Sequence, residues 1–533
     1  MVLIVVLPFL FKREDQTVVQ SDDTLIVITP HDEGIRHEFE TAFAEYYKRE
    51  TGRTVDIDWR VIGGTSEIIR YVQSTYTNNF RNYWQNELGR KWNSDIQNSF
   101  MNRKLKLDDT PEDDSPAEEA KRTFVHSEVT CGIDVFFGGG SYDFIQQGRS
   151  GTLVPFADPS ELETLFPPDV LPISYSGEPF YDKDALWVGA VLSQFGIIYN
   201  KLSLERIGID KIPNDWEDLT DPRYIGELAI SDPAQSGSST KAFEMIVQQE
   251  MLRLATNGGT TSADNVDQTT IAAGWIRAMK RIQLICANAR YFTDSSKKPS
   301  LDVSAGECAA GMSIDFYGRY QAETIYNRTG SERFGYVTPF GGSTVSVDPI
   351  GIFRGAPNKE MAHRFVLFVM SEQGQKLWNW KPGTPEGTKK YALRRSPMLR
   401  YLYDPKYDPY RSDAGNDPYD ETGSFVYHPA WTGSLFSPLR FIIKTAFIDP
   451  HHEMISAWAA IQQAKTEGRD EAAAEALRIF TDLSSINYAI ASEEIANILN
   501  QRTKISEVQL ARRITLHFRD QYLRAERIAK GSN

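Results

Sequence analysis

Four short polar segments of the chain share one pattern, in which an apolar run precedes the segment and a helical stretch follows it. The segments are TPHDEG at 29–34, GGTSE at 63–67, GGGSYD at 138–143 and DPAQSGSS at 232–239. Apolar runs such as TLIVIT at 24–29 are typical of buried parallel strands. Because strand–helix–strand units cross over right-handedly, the pattern predicts an α/β protein built on parallel strands.

Length, charge and cysteine content narrow the classes of protein that remain. The 533 residues predict at least two lobes, since a single hydrophobic core stops growing well below this size. The formal net charge of −14 argues against a nucleic-acid-binding protein, because such proteins carry a basic surface. Cys131, Cys286 and Cys308 are too widely spaced for a zinc site, and we expect all three to be buried.

The four polar segments are also candidate ligand contacts. Ligands collect at the carboxyl ends of parallel strands, and helix N-termini offer free N–H groups that hold anions. Ser, Thr, Asp and Gly also cap helices in general, so simple capping is the alternative for each segment. Four such segments favour a ligand cleft, and its candidate contacts are Thr29, His31, Gly63, Gly64, Thr65, Ser66, Gly139, Gly140, Asp232, Ser236, Gly237, Ser238 and Ser239.

Two further candidates follow the apolar stretch GMSI at 311–314. Asp315 and Tyr317 carry hard oxygen donors of the kind that bind ferric ion, and His31 is a third candidate metal ligand. The alternatives are an amphipathic Tyr317 at a lobe surface and a His31 that is merely polar surface. The sequence holds no GxSxG, HExxH or Walker A motif, so we expect a protein that is not an enzyme.

The two ends and one internal stretch stand apart from the α/β pattern. The apolar start MVLIVVLPFLF is shorter than the ~20 residues that span a bilayer, so residues 1–23 are predicted to be an export signal or membrane anchor with a linker, or else a buried strand. Residues 80–128 are interpreted as an insertion, with a loop or disordered stretch where they are acidic. Residues 401–533 are predicted to be an aromatic-rich loop region and a helical extension.

Several stretches resemble, in the same order, bacterial solute-binding proteins of ABC importers. WEDLTDPRYIGELAISDPAQSGSS at 216–239 is similar to a W-x-D-L-x-D-P-x-x-x-G-x-x-x-x-x-D-P stretch of that family. Other resembling stretches are GTLVPF at 151–156, AGECAAGMSIDFYG at 305–318 and GAPNKEMAHRFVLFVMSEQGQKLW at 355–378. The resemblance is to the subgroup that includes ferric-ion, thiamine, phosphonate and polyamine binders.

The resemblance implies a two-lobed, type II periplasmic-binding-protein-like α/β fold whose lobes are joined by crossover strands, plus the helical C-terminal extension. Residues 24–190 and 340–400 would form the first lobe, and residues 195–335 the second. The implied function is capture of a small solute in the interlobe cleft, outside the cytoplasm, and delivery to an ABC permease by a monomeric receptor.

The implied solute is a ferric ion, with or without an anion, or an organic anion. Ferric-ion members place two adjacent tyrosines where this chain has Phe316 and Tyr317, and this departure weakens an iron assignment. Two other functions stay open on the same scaffold. One is a ligand sensor that signals through a protein partner bound to residues 451–533, and the other is an enzyme.

Overall fold

The structure is a computed structural model that describes residues 21–107, 114–257, 266–420, 425–500 and 504–531. Residues 1–20, where the sequence predicts an export signal or membrane anchor, lie outside these ranges. Within the described ranges, no helix combines the length and the apolar character needed to cross a membrane.

Thirteen described strands alternate with helices along the chain. The strands are β1 Asp23–Ile28, β2 Val55–Arg60, β3 Val135–Phe137, β4 Leu153–Val154, β5 Ser174–Tyr175, β6 Glu178–Pro179, β7 Val188–Ser193, β8 Phe195–Asn200, β9 Leu228–Ser231, β10 Ala289–Thr293, β11 Ala310–Ile314, β12 Phe334–Val337 and β13 Ser346–Phe353. The helices that precede residue 331 are α1 Glu33–Thr51, α2 Thr65–Asn82, α3 Ser94–Ser99, α4 Pro116–Val125, α5 Ser141–Ser150, α6 Leu162–Leu165, α7 Lys201–Arg206, α8 Gly237–Asn257, α9 Gln268–Asn288, α10 Lys298–Ala305 and α11 Asp315–Thr329. The later helices are α12 Lys359–Met370, α13 Glu372–Leu377, α14 Pro429–Thr432, α15 Phe436–Ile442, α16 His451–Thr466, α17 Asp470–Phe480, α18 Ala496–Asn500 and α19 Lys504–Lys530.

The first lobe is built on a sheet of six strands. Its order is β2-β1-β3-β13-β4, with β7 also paired to β13. Strands β1, β2 and β3 run parallel, whereas β13 is antiparallel to β3, β4 and β7. Leu25, Val27 and Ile28 of β1 are fully buried, as the apolar run in the sequence predicts.

The second lobe is built on a sheet of five strands in the order β10-β9-β11-β8-β12. Strand β9 is parallel to β10 and β11, and β8 is antiparallel to β11 and β12. Helices α8 and α9 cover this sheet, and Trp275 of α9 is fully buried in the core of the lobe.

Two chain crossings connect the two sheets, and a third passage, between Tyr419 and Trp431, leads from the first lobe to the C-terminal helices packed on the second. Gln194 alone separates β7 of the first sheet from β8 of the second, and residues 338–345 return from β12 to β13. Hydrogen bonds tie these crossings to the second lobe and to each other: Asp315 N–H donates to the Gln194 carbonyl (2.9 Å), and Phe195 N–H donates to Ser343 Oγ (3.1 Å). The prediction of a two-lobed α/β fold with crossover strands is therefore confirmed.

The helical C-terminal extension is present, and it completes the core of the second lobe. Trp275 Nε1 donates to the Ile486 carbonyl (2.8 Å), and Trp458 Nε1 donates to Asn288 Oδ1 (2.9 Å). Side chains from α15 to α19 share one hydrophobic core with α8 and α9, among them Leu439 and Phe518. The extension is thus packed as part of the lobe.

The stretch interpreted as an insertion packs into the hydrophobic core of the first lobe. Phe80 and Phe100 stack with ring centroids 4.6 Å apart, and Phe124 packs edge-on against both. The prediction of a loop or disorder over its acidic part, LDDTPEDDSPAEEAKR at 107–122, is wrong for 116–122, which belong to α4, because Ser115 and Glu118 form a capping box. Residues 108–113 lie outside the described ranges. Cys131, Cys286 and Cys308 are buried, as predicted.

Candidate functional site

A cavity of about 470 Å³ lies between the two lobes. Its first wall follows the carboxyl ends of β1, β2 and β3, where the loops bring Pro30, Val61 and Gly139 to the cavity. Its second wall follows β9, β10 and β11, with Ser236, Asp294 and Phe316 at the cavity. The volume is in the range of small-molecule sites, which run from roughly 300 to 1,000 Å³.

Helix N-termini without side-chain caps face this cavity. Helices α2 and α5 begin after Gly64 and Gly140, α11 begins after Ile314, and none of these residues provides a side-chain cap. The first N–H groups of a helix have no intrahelical acceptor, and they lie at the positive end of the helix dipole. In α11 the Asp315 N–H already donates to the Gln194 carbonyl, so the backbone donors available to a negatively charged group come from the starts of α2 and α5.

Glycine at the first-lobe turns is needed for close packing. A Cβ on Gly138 would lie 2.5 Å from His31 Nε2, and the φ angle of Gly138 is +93°. Gly139 follows with a φ of +123°, and a Cβ there would lie 3.1 Å from Thr65. Only glycine adopts these conformations without strain, so the turns can approach one another at the cavity wall.

One serine hydroxyl at the start of α8 caps the helix, and a second ties the helix to β9. Ser236 Oγ accepts a hydrogen bond from Ser239 N–H (3.2 Å), and Ser239 Oγ donates to the Ser231 carbonyl (2.7 Å). Ser236, Gly237 and Ser238 line the cavity. Capping and cavity lining therefore coincide at Ser236.

A buried charged cluster forms the first-lobe wall beside these helices. Arg395 Nη2 donates to Asp348 Oδ2 (2.6 Å) and to Ser193 Oγ, and the Arg395 side chain has no exposed surface. Its guanidinium carbon lies 4.4 Å from the ring centroid of Phe316, across the cleft. Burial would raise the pKa of Asp348, but Arg395 and His31 outweigh it, so the net pKa lies below its ordinary value.

A second ion cluster joins the lobes beside the cavity. Lys241 of α8 lies 2.5 Å from Glu178 Oε1 of the first lobe and 2.9 Å from Glu244 Oε2. Its ammonium nitrogen is also 3.9 Å from the ring centroid of Tyr427. Burial lowers the pKa of Lys241, but the two carboxylates outweigh burial and the net pKa is raised. Lys241 is therefore a charged contact between the lobes.

The structure brings ten of the fifteen candidate residues to the cavity. They are His31, Gly63, Gly64, Thr65, Gly139, Gly140, Ser236, Gly237, Ser238 and Tyr317. The other five are set back from it: Thr29 Oγ1 accepts from His31 N–H, Ser66 Oγ accepts from Arg440, and Ser239 Oγ donates to the Ser231 carbonyl. Asp232 Oδ1 accepts from Ala234 N–H, and Asp315 Oδ2 accepts from Arg319 (2.8 Å).

Of the three candidate metal ligands, His31 and Tyr317 line the cavity and Asp315 does not. The described ranges contain no group of three or more His, Cys, Asp or Glu side chains that could hold a metal ion. His31 Nε2 lies 3.4 Å from the Arg395 guanidinium, whose positive charge opposes a cation. Burial raises the pKa of Tyr317 to about 12, so its phenol is protonated at neutral pH.

Several cavity residues have no signal in the sequence. Arg395, Asp348 and Arg36 line the cavity from the first lobe, and Lys297 lines it from the second. Phe436 reaches it from the C-terminal extension. None of these residues lies in the four polar segments singled out in the sequence, so only the tertiary structure assigns them to the site.

Comparison with known proteins gives the family. The family model of the bacterial extracellular solute-binding protein matches residues 129–396, half of the chain. An uncharacterized protein of Haemophilus influenzae is 26% identical over 250 residues, which is 47% of this chain and 61% of that protein. The phosphoglycerate transport regulatory protein PgtC of Salmonella typhimurium is 23% identical over 190 residues, which is 36% of this chain and 40% of that protein. The chain thus spans less than two thirds of the length of either relative.

Solved structures of binding proteins are also similar. The periplasmic binding protein AfuA of Actinobacillus pleuropneumoniae, solved with fructose-6-phosphate, is 18% identical with a TM-score of 0.42, over 67% of this chain and 82% of that chain. A likeness this weak carries no argument about a ligand. The family match covers β7 to β13 and both chain crossings, and on that evidence the chain belongs to the bacterial extracellular solute-binding proteins.

Proposed function

We propose that this protein is the solute receptor of an ABC importer and that its solute is a small, hydroxylated organic anion. The observation that carries the proposal is the convergence of the uncapped starts of α2 and α5 on one interlobe cavity that Arg36 and Lys297 also line. Helix N-termini and a guanidinium are the usual partners of phosphate and carboxylate groups.

The charges of the cavity wall fit an anion that also carries hydroxyl groups. Arg36 and Lys297 supply positive charge, whereas the charge of Arg395 is matched by Asp348. Asp32, Asp143 and Asp294 also line the cavity, and carboxylate oxygens accept hydrogen bonds from hydroxyls. A phosphorylated or carboxylated three- to six-carbon metabolite would use both kinds of group. The name of the Salmonella relative, a phosphoglycerate transport regulatory protein, supports this class.

Ferric ion is the less favoured solute. His31, Asp315 and Tyr317 would have to supply the ligands, but Asp315 is held by Arg319 behind the cavity wall. The protonated phenol of Tyr317 and the nearby Arg395 charge add to the cost of binding a bare cation there.

A thermal-shift screen of the full chain tests the ligand class. The probes are 3-phosphoglycerate, inorganic phosphate, glycerol as the uncharged control, and ferric ion with and without citrate. A ligand that binds only the folded state adds about 2.7 kcal/mol of stability at 100 times its Kd. We expect a rise in Tm with 3-phosphoglycerate and none with glycerol. A rise with ferric ion alone, and with no organic anion, would contradict the proposal.

The proposal includes delivery to a permease, without chemical change of the solute and from outside the cytoplasm, by a monomeric receptor. The family membership supports a receptor in this compartment. Vesicles that contain the cognate permease test it: the loaded receptor should stimulate ATP hydrolysis and uptake. Conversion of the solute by the purified receptor would instead indicate an enzyme.

A ligand-sensing receptor is the second candidate, because the name of the Salmonella relative includes regulation of transport. Solute uptake distinguishes the two functions in a strain that lacks the gene for this protein but expresses the permease from a constitutive promoter. Restored uptake in that strain would favour the sensor. Uptake that stays lost would favour the transport receptor.

A further inference from the structure

The C-terminal extension reaches across the cleft to the first lobe. The ring of Phe436, at the start of α15, stacks on Tyr142 of α5 with centroids 4.6 Å apart and planes at 28°. Next to it, the Tyr142 hydroxyl and Ser437 Oγ are 3.2 Å apart. Arg440 Nη1, one turn further along α15, donates to Ser66 Oγ of α2 (3.2 Å). Three consecutive contacts therefore join this helix to the starts of two first-lobe helices.

The same helix is anchored in the second lobe. Leu435, Leu439 and Ile442 are buried in the core that includes α8 and α9. The contacts of Phe436, Ser437 and Arg440 with the first lobe are thus contacts between the lobes, made through a segment that lies beyond the family match at 129–396.

The ring contact of Phe436 with Tyr142 lies at the cavity, whereas the contact of Arg440 with Ser66 is set back from it. Tyr142 and Phe436 both line it, as do Gly140 and Ser141 at the uncapped start of α5. Arg440 brings a positive charge to the first turn of α2, and its guanidinium carbon lies 4.9 Å from the Phe436 ring centroid. The buried Nε of Arg440 has no hydrogen-bond partner in the described part of the chain.

We propose that α15 forms part of the wall of the solute site and that its residues Phe436 and Arg440 hold the two lobes together over the bound anion. These two residues would then determine both the closure of the lobes and the affinity for the solute. The extension would then select the solute. The affinity part of this inference rests on the proposed function, whereas the closure part does not depend on any ligand.

Calorimetry with 3-phosphoglycerate, on the full chain, tests affinity. The variants are Phe436→Ala and Arg440→Gln, with Leu516→Ala and Arg512→Gln on the exposed face of α19 as matched controls. We expect the two α15 variants to bind at least about fivefold more weakly, the lower range of measured coupling between sites, and the controls to match the wild type.

Distances between spin labels test closure without a ligand. Labels at Asp56→Cys in the first lobe and Glu205→Cys in the second react selectively, because the three native cysteines are buried. Phe436→Ala and Arg440→Gln should broaden the distance distribution toward longer values, while Lys241 still bridges the lobes elsewhere. The control variants should leave it unchanged.

The two readouts separate the failure of this inference from the failure of the proposed function. If the wild type binds 3-phosphoglycerate and the α15 variants bind it equally well with an unchanged distance distribution, α15 is not part of the site. If the wild type binds none of the organic anions tested, the proposed function fails, and the label distances alone decide whether α15 holds the lobes together.

Discussion

Arg395 is a fully buried cation whose charge is matched by Asp348. Replacing Arg395 with methionine would leave the Asp348 carboxylate without its partner. Loss of one partner of a buried ion pair typically lowers the free energy of unfolding by about 3–5 kcal/mol, and we expect a loss of that size here. Urea denaturation of Arg395→Met measures this loss in the free energy of unfolding.

The double variant Arg395→Met with Asp348→Asn is the control. It removes both charges, so it should recover most of the lost stability. Equal stability of the wild type and the single variant would show that the pair is not coupled in the folded protein.

His31 makes stability depend on pH. Burial lowers its pKa below the ordinary 6.5, and the charge of Arg395 acts in the same direction, while Asp348 and Asp32 oppose both. The folded protein therefore binds fewer protons at this residue than the unfolded chain does. The contribution of His31 to the free energy of unfolding is therefore complete above pH 6.5 and is lost as the pH falls below that value.

Urea denaturation at several pH values measures this effect. The free energy of unfolding should fall between pH 7 and pH 5 in the wild type, and the fall should be smaller in His31→Gln. Exposed His126→Gln serves as the control and should follow the wild type. The same slope in all three proteins would contradict the assignment to His31.

The sequence predicts the residues that bring backbone groups to the cavity, but it does not predict the buried charged pair of the cavity wall. Gly140, Gly139 and Thr65 are recognisable because a helix start after a strand has a local signature. Arg395 and Asp348 meet only after β13 and the loop before residue 396 pack on β7. Nothing in their neighbours along the chain distinguishes them from other charged residues.

Strands β8 and β12 meet at a position that tolerates only glycine. A Cβ on Gly196 would lie 2.2 Å from the Val337 carbonyl oxygen and 2.8 Å from the Tyr336 ring. Gly196→Ala should therefore force the strands apart beside the chain crossing, at a cost of about 1–3 kcal/mol, as for other overpacked sites.

Thermal denaturation of Gly196→Ala measures this cost. Gly237→Ala is a suitable comparison, because nothing lies within 4 Å of a Cβ built there. It should keep the stability of the wild type. If Gly196→Ala were as stable as Gly237→Ala, the close approach of β8 and β12 would be wrong.

Most elements of the α/β part were predictable, because their hydrophobic period is local. The apolar run LWVGAVLSQFGIIYN at 186–200 contains β7, Gln194 and β8, which are among the crossover strands that the resemblance implies. Helix α4 was missed, because acidic residues and prolines favour a loop on composition. The capping box at Ser115 and the burial of Phe124 outweigh that tendency.

At the scale of the molecule, the extension cannot be removed without exposing the core of the second lobe. Trp275, Gln283 and Asn288 of α9 all make hydrogen bonds to residues beyond 450. A chain that ends after Asp420 should therefore lose its cooperative unfolding transition. Calorimetric scanning beside the full chain measures this, and an unchanged transition in the shortened chain would contradict the account.

The sequence predicts that the extension is helical but not where it packs. Amphipathic helices such as α17 must bury one face, and several surfaces of a large protein could accept it. The choice of the second lobe depends on long-range contacts such as Gln283 Nε2 to the Phe480 carbonyl (2.8 Å). An interpretation of residues 451–533 as a separate partner-binding module has to account for these contacts.

The central claim, that helix N-termini hold an anion between the lobes, has a direct test at Gly140. An aspartate there would cap α5 and place a negative charge where the anion should lie, whereas an asparagine would cap the helix without the charge. A Cβ at this position meets nothing nearer than 4.0 Å, so both variants should fold.

The measurement is calorimetric titration of 3-phosphoglycerate into the wild type, Gly140→Asp and Gly140→Asn. The account predicts that Asp weakens binding at least about tenfold relative to Asn, which is 1.4 kcal/mol. Equal affinities of the two variants would contradict it.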